Sequence, residues 1–230
     1  LPHWPFGCRR PGMRIDRRAL HELLFGPLHR CCLCQKEEVL GPEGLCSACR
    51  KSLRLCPAPA SPFPLDGLTA GLLYAGEVPG AISRFKNREQ LYLGGFFAQY
   101  MRLPSHWRGE VLVPVPLHPL KALTRGYNQS RELALYLSSA YGLPMCPALL
   151  KKTRLTRAQK GLSAEERQKN LENAFMAAPE AAGRRIILVD DVCTTGATLC
   201  ACAAALKKAG AARVYAAAAA CVPYGEDASV

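Results

Sequence analysis

Two groups of residues in this chain have the types and spacing to do chemistry. The first is the stretch RRIILVDDVCTTGATL, residues 184–199, where an apolar run ends in Asp190 and Asp191 before a hydroxyl-rich turn with a single glycine. In an open α/β sheet, ligands bind outside the carboxyl ends of the strands, and the acidic pair stands at such an end. The turn through Val192, Cys193, Thr194, Thr195, Gly196, Ala197 and Thr198 leads into a helix. Backbone amides there, together with the helix dipole, make an anion site. Thr194, Thr195 and Thr198 add hydroxyl donors, and Gly196 lets the backbone approach the anion closely. Amides and hydroxyls suit a phosphate, while carboxylates accept hydrogen bonds from vicinal hydroxyls. A sugar that carries both fits the pair of half-sites. The turn is not a Walker loop, because no Gly-Lys-Thr follows, and its one glycine does not make G-x-G-x-x-G. The plain alternative is an acidic strand end with a threonine cap.

The second group is a set of cysteines. Cys31-Cys32-Leu33-Cys34 and Cys46-Ser47-Ala48-Cys49 form two C-x2-C knuckles with eleven residues between them. Two such knuckles supply four thiolates, Cys31, Cys34, Cys46 and Cys49, that can meet tetrahedrally around one Zn2+. With all four positions filled the site is closed, which marks a structural site and not a catalytic one. So small a module cannot build much of a core, and metal binding would supply much of its folding free energy. Cys32 is an extra member, and Cys56 is an alternative ligand.

These groups need elements to hold them. Residues 14–25 place Ile15, Ala19, Leu23 and Leu24 at helical spacing. Four prolines in the ten residues after Cys56 remove donors and fix φ, which marks a linker or an extended wrap. Beyond Leu68 the pattern alternates. Strands are expected at 68–76, 110–116, 147–153, 184–190 and 212–222. Helical pieces are expected within 78–102, interrupted at residues 87–90, and at 128–142 and 197–210. Strands alternating with helices imply a mainly parallel sheet covered on both faces. The expected layout is a basic segment at 1–30, the four-cysteine zinc module at 31–56, a Pro-rich linker at 57–67, an α/β domain at 68–224 and a tail at 225–230.

Composition bounds the answer. With 230 residues, 49% hydrophobic and 21% charged, the chain reads as globular, with room for one sizeable core and a small appendage. No apolar run approaches the ~18 residues of a membrane span. The first thirty residues carry Arg9, Arg10, Arg14, Arg17 and Arg18 before an apolar stretch broken by charge, Gly and Pro, which does not read as a secretory signal. A cytoplasmic chain is therefore expected, and clustered cysteines there favour metal over disulfides. The net charge of +12 favours polyanionic or phosphorylated partners, though a solvated basic surface is equally compatible. Residues 151–170 concentrate it, with seven basic side chains against Glu165 and Glu166.

The stretch ILVDDVCTTGAT resembles the ribose-5-phosphate loop of type I phosphoribosyltransferases, which bind phosphoribosyl pyrophosphate (PRPP). Over roughly residues 31–222 the chain resembles the ComF/GntX branch, the competence-associated phosphoribosyltransferase-like proteins. The paired knuckles, VPVPLHPLKALTRGYNQSRELA at 113–134 and TRAQKGLSAEERQKNLENAF at 156–175 carry that resemblance beyond the loop. It implies a type I phosphoribosyltransferase-like domain at 68–224. It implies that Asp190 and Asp191 contact the ribose hydroxyls, directly or near Mg2+, as the catalytic pair. Thr194 to Thr198 would cradle the 5-phosphate. Lys121, Arg125 and Gly126 look like the pyrophosphate loop. The segment 151–170, with Lys151, Lys152, Arg154, Arg157 and Lys160, resembles the hood that closes over the site, and is a candidate DNA contact.

The implied activity is Mg2+-dependent displacement of pyrophosphate from PRPP by an acceptor the sequence does not identify. The family name implies a role in DNA uptake during natural transformation. Single-stranded DNA and competence proteins at the inner face of the membrane would then be partners. A PRPP-sensing regulator without turnover is a third reading. Two departures stand out. The family pattern carries a further C-x2-C-G after the knuckles, whereas Cys56 is followed by Pro57-Ala58-Pro59. Purine-using members of the larger family tend to carry an acidic base at the position of Thr194, so purine salvage is not expected here.

Overall fold

The computed structural model describes residues 30–87, 90–118, 126–154, 171 and 173–222. Strands β1 (Gly67–Leu73), β2 (Val111–Pro114), β5 (Arg185–Cys193) and β6 (Arg213–Cys221) form one sheet, parallel throughout, in the order β1-β6-β5-β2. A separate antiparallel pair joins β3 (Leu150–Lys152) to β4 (Phe175–Ala177). The helices are α1 (Ser47–Ser52), α2 (Val78–Lys86), α3 (Leu93–Ala98), α4 (Gln129–Tyr141) and α5 (Ala197–Lys208). This is the α/β fold with a parallel sheet flanked by helices that the alternation of elements implies.

Side-chain alternation along the strands sorts the core into two faces. Ile187, Val189, Ala217 and Ala219 join Leu72 and the inward residues of α2, α3 and α4, among them Ile82, Phe85, Phe97, Leu133 and Leu137. Ile186, Leu188, Ala216 and Ala218 face α5 through Leu199, Cys202 and Leu206. β5 and β6 read as nearly unbroken apolar runs because both their faces are covered. Each buried aliphatic side chain contributes roughly 1.5–3 kcal/mol. The cysteine module is not a free appendage. Leu33 and Leu45 lie in the same buried cluster as Leu72 and Phe85.

The segment leading into the proline-rich stretch pairs with the edge strand β1. Leu73 N–H donates to Arg54 O at 2.9 Å, and Cys56 N–H donates to Gly71 O at 3.0 Å. Two short elements, α1 and β4, escaped the sequence reading, and β5 runs past Asp190 to Cys193. The helix expected at 14–25 and the tail at 225–230 lie outside the described residues. Among the described residues, no helix is long and apolar enough to cross a membrane.

Candidate functional site

The acidic pair sits where one strand stops and its neighbour goes on. β2 ends at Pro114 opposite Val189, while β5 remains paired with β6 as far as Cys193. The first turn of α4 meets the two carboxylates beyond the end of β2. Asn128 caps that helix, its Oδ1 accepting from Ser130 N–H at 2.9 Å, and its Nδ2 donates to Val115 O at 3.0 Å. One asparagine thus ties the helix start to the strand end and aims the next two side chains at the pair. Ser130 Oγ donates to Asp190 Oδ1 at 2.9 Å, and Gln129 Nε2 donates to Asp191 Oδ1 at 3.2 Å. The Asp191 N–H also donates to Asp190 Oδ1, at 2.9 Å.

Both carboxylates are buried, with 8% and 4% of their surface exposed. Burial pushes the Asp190 carboxyl up to about 8, and the adjacent Asp191 charge adds to that, while the Asp191 N–H and Ser130 hydroxyl pull it down. Asp191 has a cation of its own. Lys86 Nζ, at the end of α2, lies 2.6 Å from Asp191 Oδ2. The contact is an ion pair at hydrogen-bond distance. Burial works against the Lys86 ammonium, but the charge and hydrogen bond of Asp191 and the charge of Asp190 outweigh it and hold its pKa above the ordinary value. Sequence reasoning missed Lys86. The available signal was a lysine closing an amphipathic helix in a chain whose buried acidic pair lacked a counter-ion.

The turn after the pair leads straight into α5. Thr194 and Thr195 are exposed, and Thr195 Oγ1 accepts from Ala197 N–H at 3.4 Å. Gly196 stands at the N-cap with φ +75°, in the left-handed region that favours glycine. A Cβ there would also lie 3.1 Å from Pro62 Cγ, so the proline-rich wrap closes the underside of the turn. Val192, Ala197 and Thr198 are half-buried. Cys193 is not an activated thiol. Its hydrogen bond with Cys221, in register on β6, and its burial both push the thiol up. Cys202 packs α5 onto the sheet, and Cys56 lies beside Cys221, away from the knuckles.

Of the pyrophosphate-loop residues, Gly126 is described, in the left-handed region at φ +73°, and Lys121 and Arg125 lie outside the described residues. Lys151 and Lys152 lie on β3 and Arg154 just after it. Lys152 holds its ammonium 5.2 Å from the centre of the Phe175 ring. Arg157 and Lys160 lie outside the described residues.

The four expected cysteine ligands do come together. The Sγ atoms of Cys31, Cys34, Cys46 and Cys49 all lie within 4.8 Å of one another. Cys34 and Cys46 are 3.7 Å apart, close to the sulfur–sulfur separation that four Zn–S bonds of ~2.3 Å impose on a tetrahedron. Backbone amides already serve the sulfurs, with Cys46 N–H on Cys31 Sγ and Cys49 N–H on Cys46 Sγ, each at 3.4 Å. Burial opposes a thiolate at Cys31, yet the N–H groups of Cys46, Cys34 and Leu33 bring it down to about 7. Such a set can hold one zinc ion. Neither Cys32 nor Cys56 belongs to it.

A family model described as a phosphoribosyl transferase domain matches residues 123–229. Competence protein F of Haemophilus influenzae is 30% identical over 217 residues, covering 79% of this chain and 92% of that protein. The chain belongs to the ComF/YhgH family. Its other relatives include the DNA utilization protein YhgH of Escherichia coli K12, 31% identical over 80% of this chain and 93% of that protein. A putative ribose-phosphate pyrophosphokinase of Lactococcus lactis is 28% identical over 128 residues, 56% of this chain and 32% of that protein. In this chain the four-cysteine cluster and the phosphoribosyltransferase domain occur together.

Proposed function

We propose that this chain binds PRPP, or a closely related phosphorylated ribose, together with Mg2+, at the carboxyl end of β5. The observation that carries the reading is the buried Asp190–Asp191 pair, aimed by Gln129, Ser130 and Lys86, directly before a glycine turn that opens α5. Asp190 and Asp191 take the ribose hydroxyls, and the turn from Val192 to Thr198 takes the 5-phosphate. Lys121, Arg125 and Gly126 take the pyrophosphate. The donor set is hard oxygen, which suits Mg2+ carried in by a phosphorylated ligand. Bound there, the ion would neutralise charge on the leaving pyrophosphate.

On this reading the chain displaces pyrophosphate from the anomeric carbon by positioning and electrostatic stabilisation. Thr194 offers no base, which argues against a purine acceptor. The cysteine module of residues 31–56 holds a structural Zn2+, and the prolines of 57–67 join it to the domain at 68–224. Calorimetry with PRPP and Mg2+ tests the ligand. Wild-type protein binds, and the double substitution Asp190→Asn with Asp191→Asn abolishes binding. Absence of binding by the wild type overturns the reading.

A second reading is favoured by the net charge of +12 and by the printed names of the relatives, which speak of competence and DNA utilization. In it the chain acts in the cytoplasm during DNA uptake, beside competence proteins at the membrane's inner face. It handles single-stranded DNA through Lys151, Lys152, Arg154, Arg157 and Lys160. Phosphate-dominated binding weakens steeply with salt. Salt-insensitive binding, or none at micromolar DNA, contradicts it.

A further inference from the structure

The last turn of α2 touches three parts of the molecule in three consecutive residues. Arg84 faces the cysteine module. Its Nη2 donates to Cys32 O at 3.2 Å and to Leu33 O at 2.5 Å, the two carbonyls lying between ligands Cys31 and Cys34. Its Nε donates to Gln90 Oε1 at 3.0 Å, and Gln90 in turn donates to Gln35, just past the first knuckle. Phe85 is fully buried and meets Tyr127, which leads into α4, with ring centres 6.1 Å apart. Lys86 faces the acidic pair, 2.6 Å from Asp191. The helix advances about 100° per residue, so residues 84 and 86 point to nearly opposite sides.

We propose that the metal module is a working part of the ligand site. The knuckle carbonyls of Cys32 and Leu33 clamp Arg84, the clamp fixes the last turn of α2, and that turn sets Lys86 on Asp191. With no ligand bound, Lys86 is the counter-charge of the buried pair. When the ligand arrives, the same lysine is in reach of its anionic oxygens. The ligand half of this proposal rests on the ribose-phosphate reading; the mechanical half does not. Filling the cysteine site therefore tightens the ligand site. By linkage, ligand then raises the affinity of the cysteine site for zinc by the same factor.

The contacts themselves favour a coupling over a mere join between two parts. A module docked for packing alone needs only the apolar contacts of Leu33 and Leu45. Here a long cation also spends three hydrogen bonds on the knuckle and on the glutamine that braces it.

The full-length zinc-loaded protein provides the test, with Arg84→Met, Arg84→Lys and Lys86→Met beside the wild type. Acylation of Lys86 by an amine-reactive ester, read by peptide mass spectrometry, reports its pairing whether or not PRPP binds. In the wild type Lys86 is protected. In Arg84→Met it labels severalfold faster at unchanged zinc content, and Arg84→Lys restores part of the protection. PRPP affinity falls about tenfold in Arg84→Met, within the usual range of coupling between sites. Lys86→Met, loosened from the other end, loses zinc to a competing chelator more readily, which keeps the test open should Arg84→Met fail to fold. Unchanged Lys86 labelling in Arg84→Met, or unchanged zinc affinity in Lys86→Met, overturns the coupling. A wild type that binds no PRPP removes the ligand reading alone, because the labelling still decides the mechanical link.

Discussion

Asp190 is a carboxyl whose surroundings favour its neutral form. Burial and its charged neighbour raise it from an ordinary 3.8 to about 8, so it takes up a proton on folding. The unfolded chain has already lost that proton above its own lower value, so stability falls as pH rises through this window towards about 8. Asp190→Asn keeps an oxygen acceptor for Ser130 and carries no charge. It is expected to raise the melting temperature at pH 7.5 by several degrees and to flatten the pH dependence between 5 and 8, as thermal denaturation across that range would show. A variant less stable than the wild type at pH 7.5 contradicts the account of the pair. Lys86 forms an ion pair with the neighbouring Asp191. The sequence offered only a lysine closing an amphipathic helix, because no motif joins it to the pair and the contact exists only through the fold. The acidic pair and the threonines were legible because they are contiguous.

At the scale of elements, two short devices hold the site. Asn128 caps α4 and ties it to β2. Asn128→Ala is expected to cost about 1 kcal/mol, the usual value of an N-cap, and to weaken ligand binding, because Gln129 and Ser130 lose their aim. Urea denaturation and calorimetry check the two effects. Gly196 holds φ +75° with Pro62 beneath it. Gly196→Ala places a Cβ in the left-handed region and against that proline, at an expected cost of about 1–3 kcal/mol. Ligand affinity is expected to fall further than stability alone accounts for.

The long elements could be read from periodicity: α4 from its apolar face and its Asn128 and Gly142 ends, β6 from its unbroken apolar run. The short ones could not. β4 has three residues and α1 six, too few to show a period. β5 was expected to stop at Asp190 because charge usually marks a strand end. Its ladder with β6 continues to Cys193 regardless, since backbone pairing does not depend on side-chain polarity.

For the whole molecule, the cysteine module and the sheet share one buried cluster, so the cysteine site and the fold are tied together. Stripping zinc with a strong chelator is expected to release one ion per chain and to lower the melting temperature. Cys31→Ser is expected to do the same without chelator, read by colorimetric zinc release and thermal scanning. More than one ion per chain, or an unchanged melting temperature, contradicts a single structural site.

The carboxyl end of β5 is proposed as a ribose-phosphate site. A crystal structure of the full chain with PRPP and Mg2+ tests it most directly. The ribose hydroxyls are expected on Asp190 and Asp191, and the 5-phosphate within hydrogen-bond reach of the amides and hydroxyls from Thr194 to Thr198. A ligand bound elsewhere, or a phosphate that leaves that turn unoccupied, contradicts it.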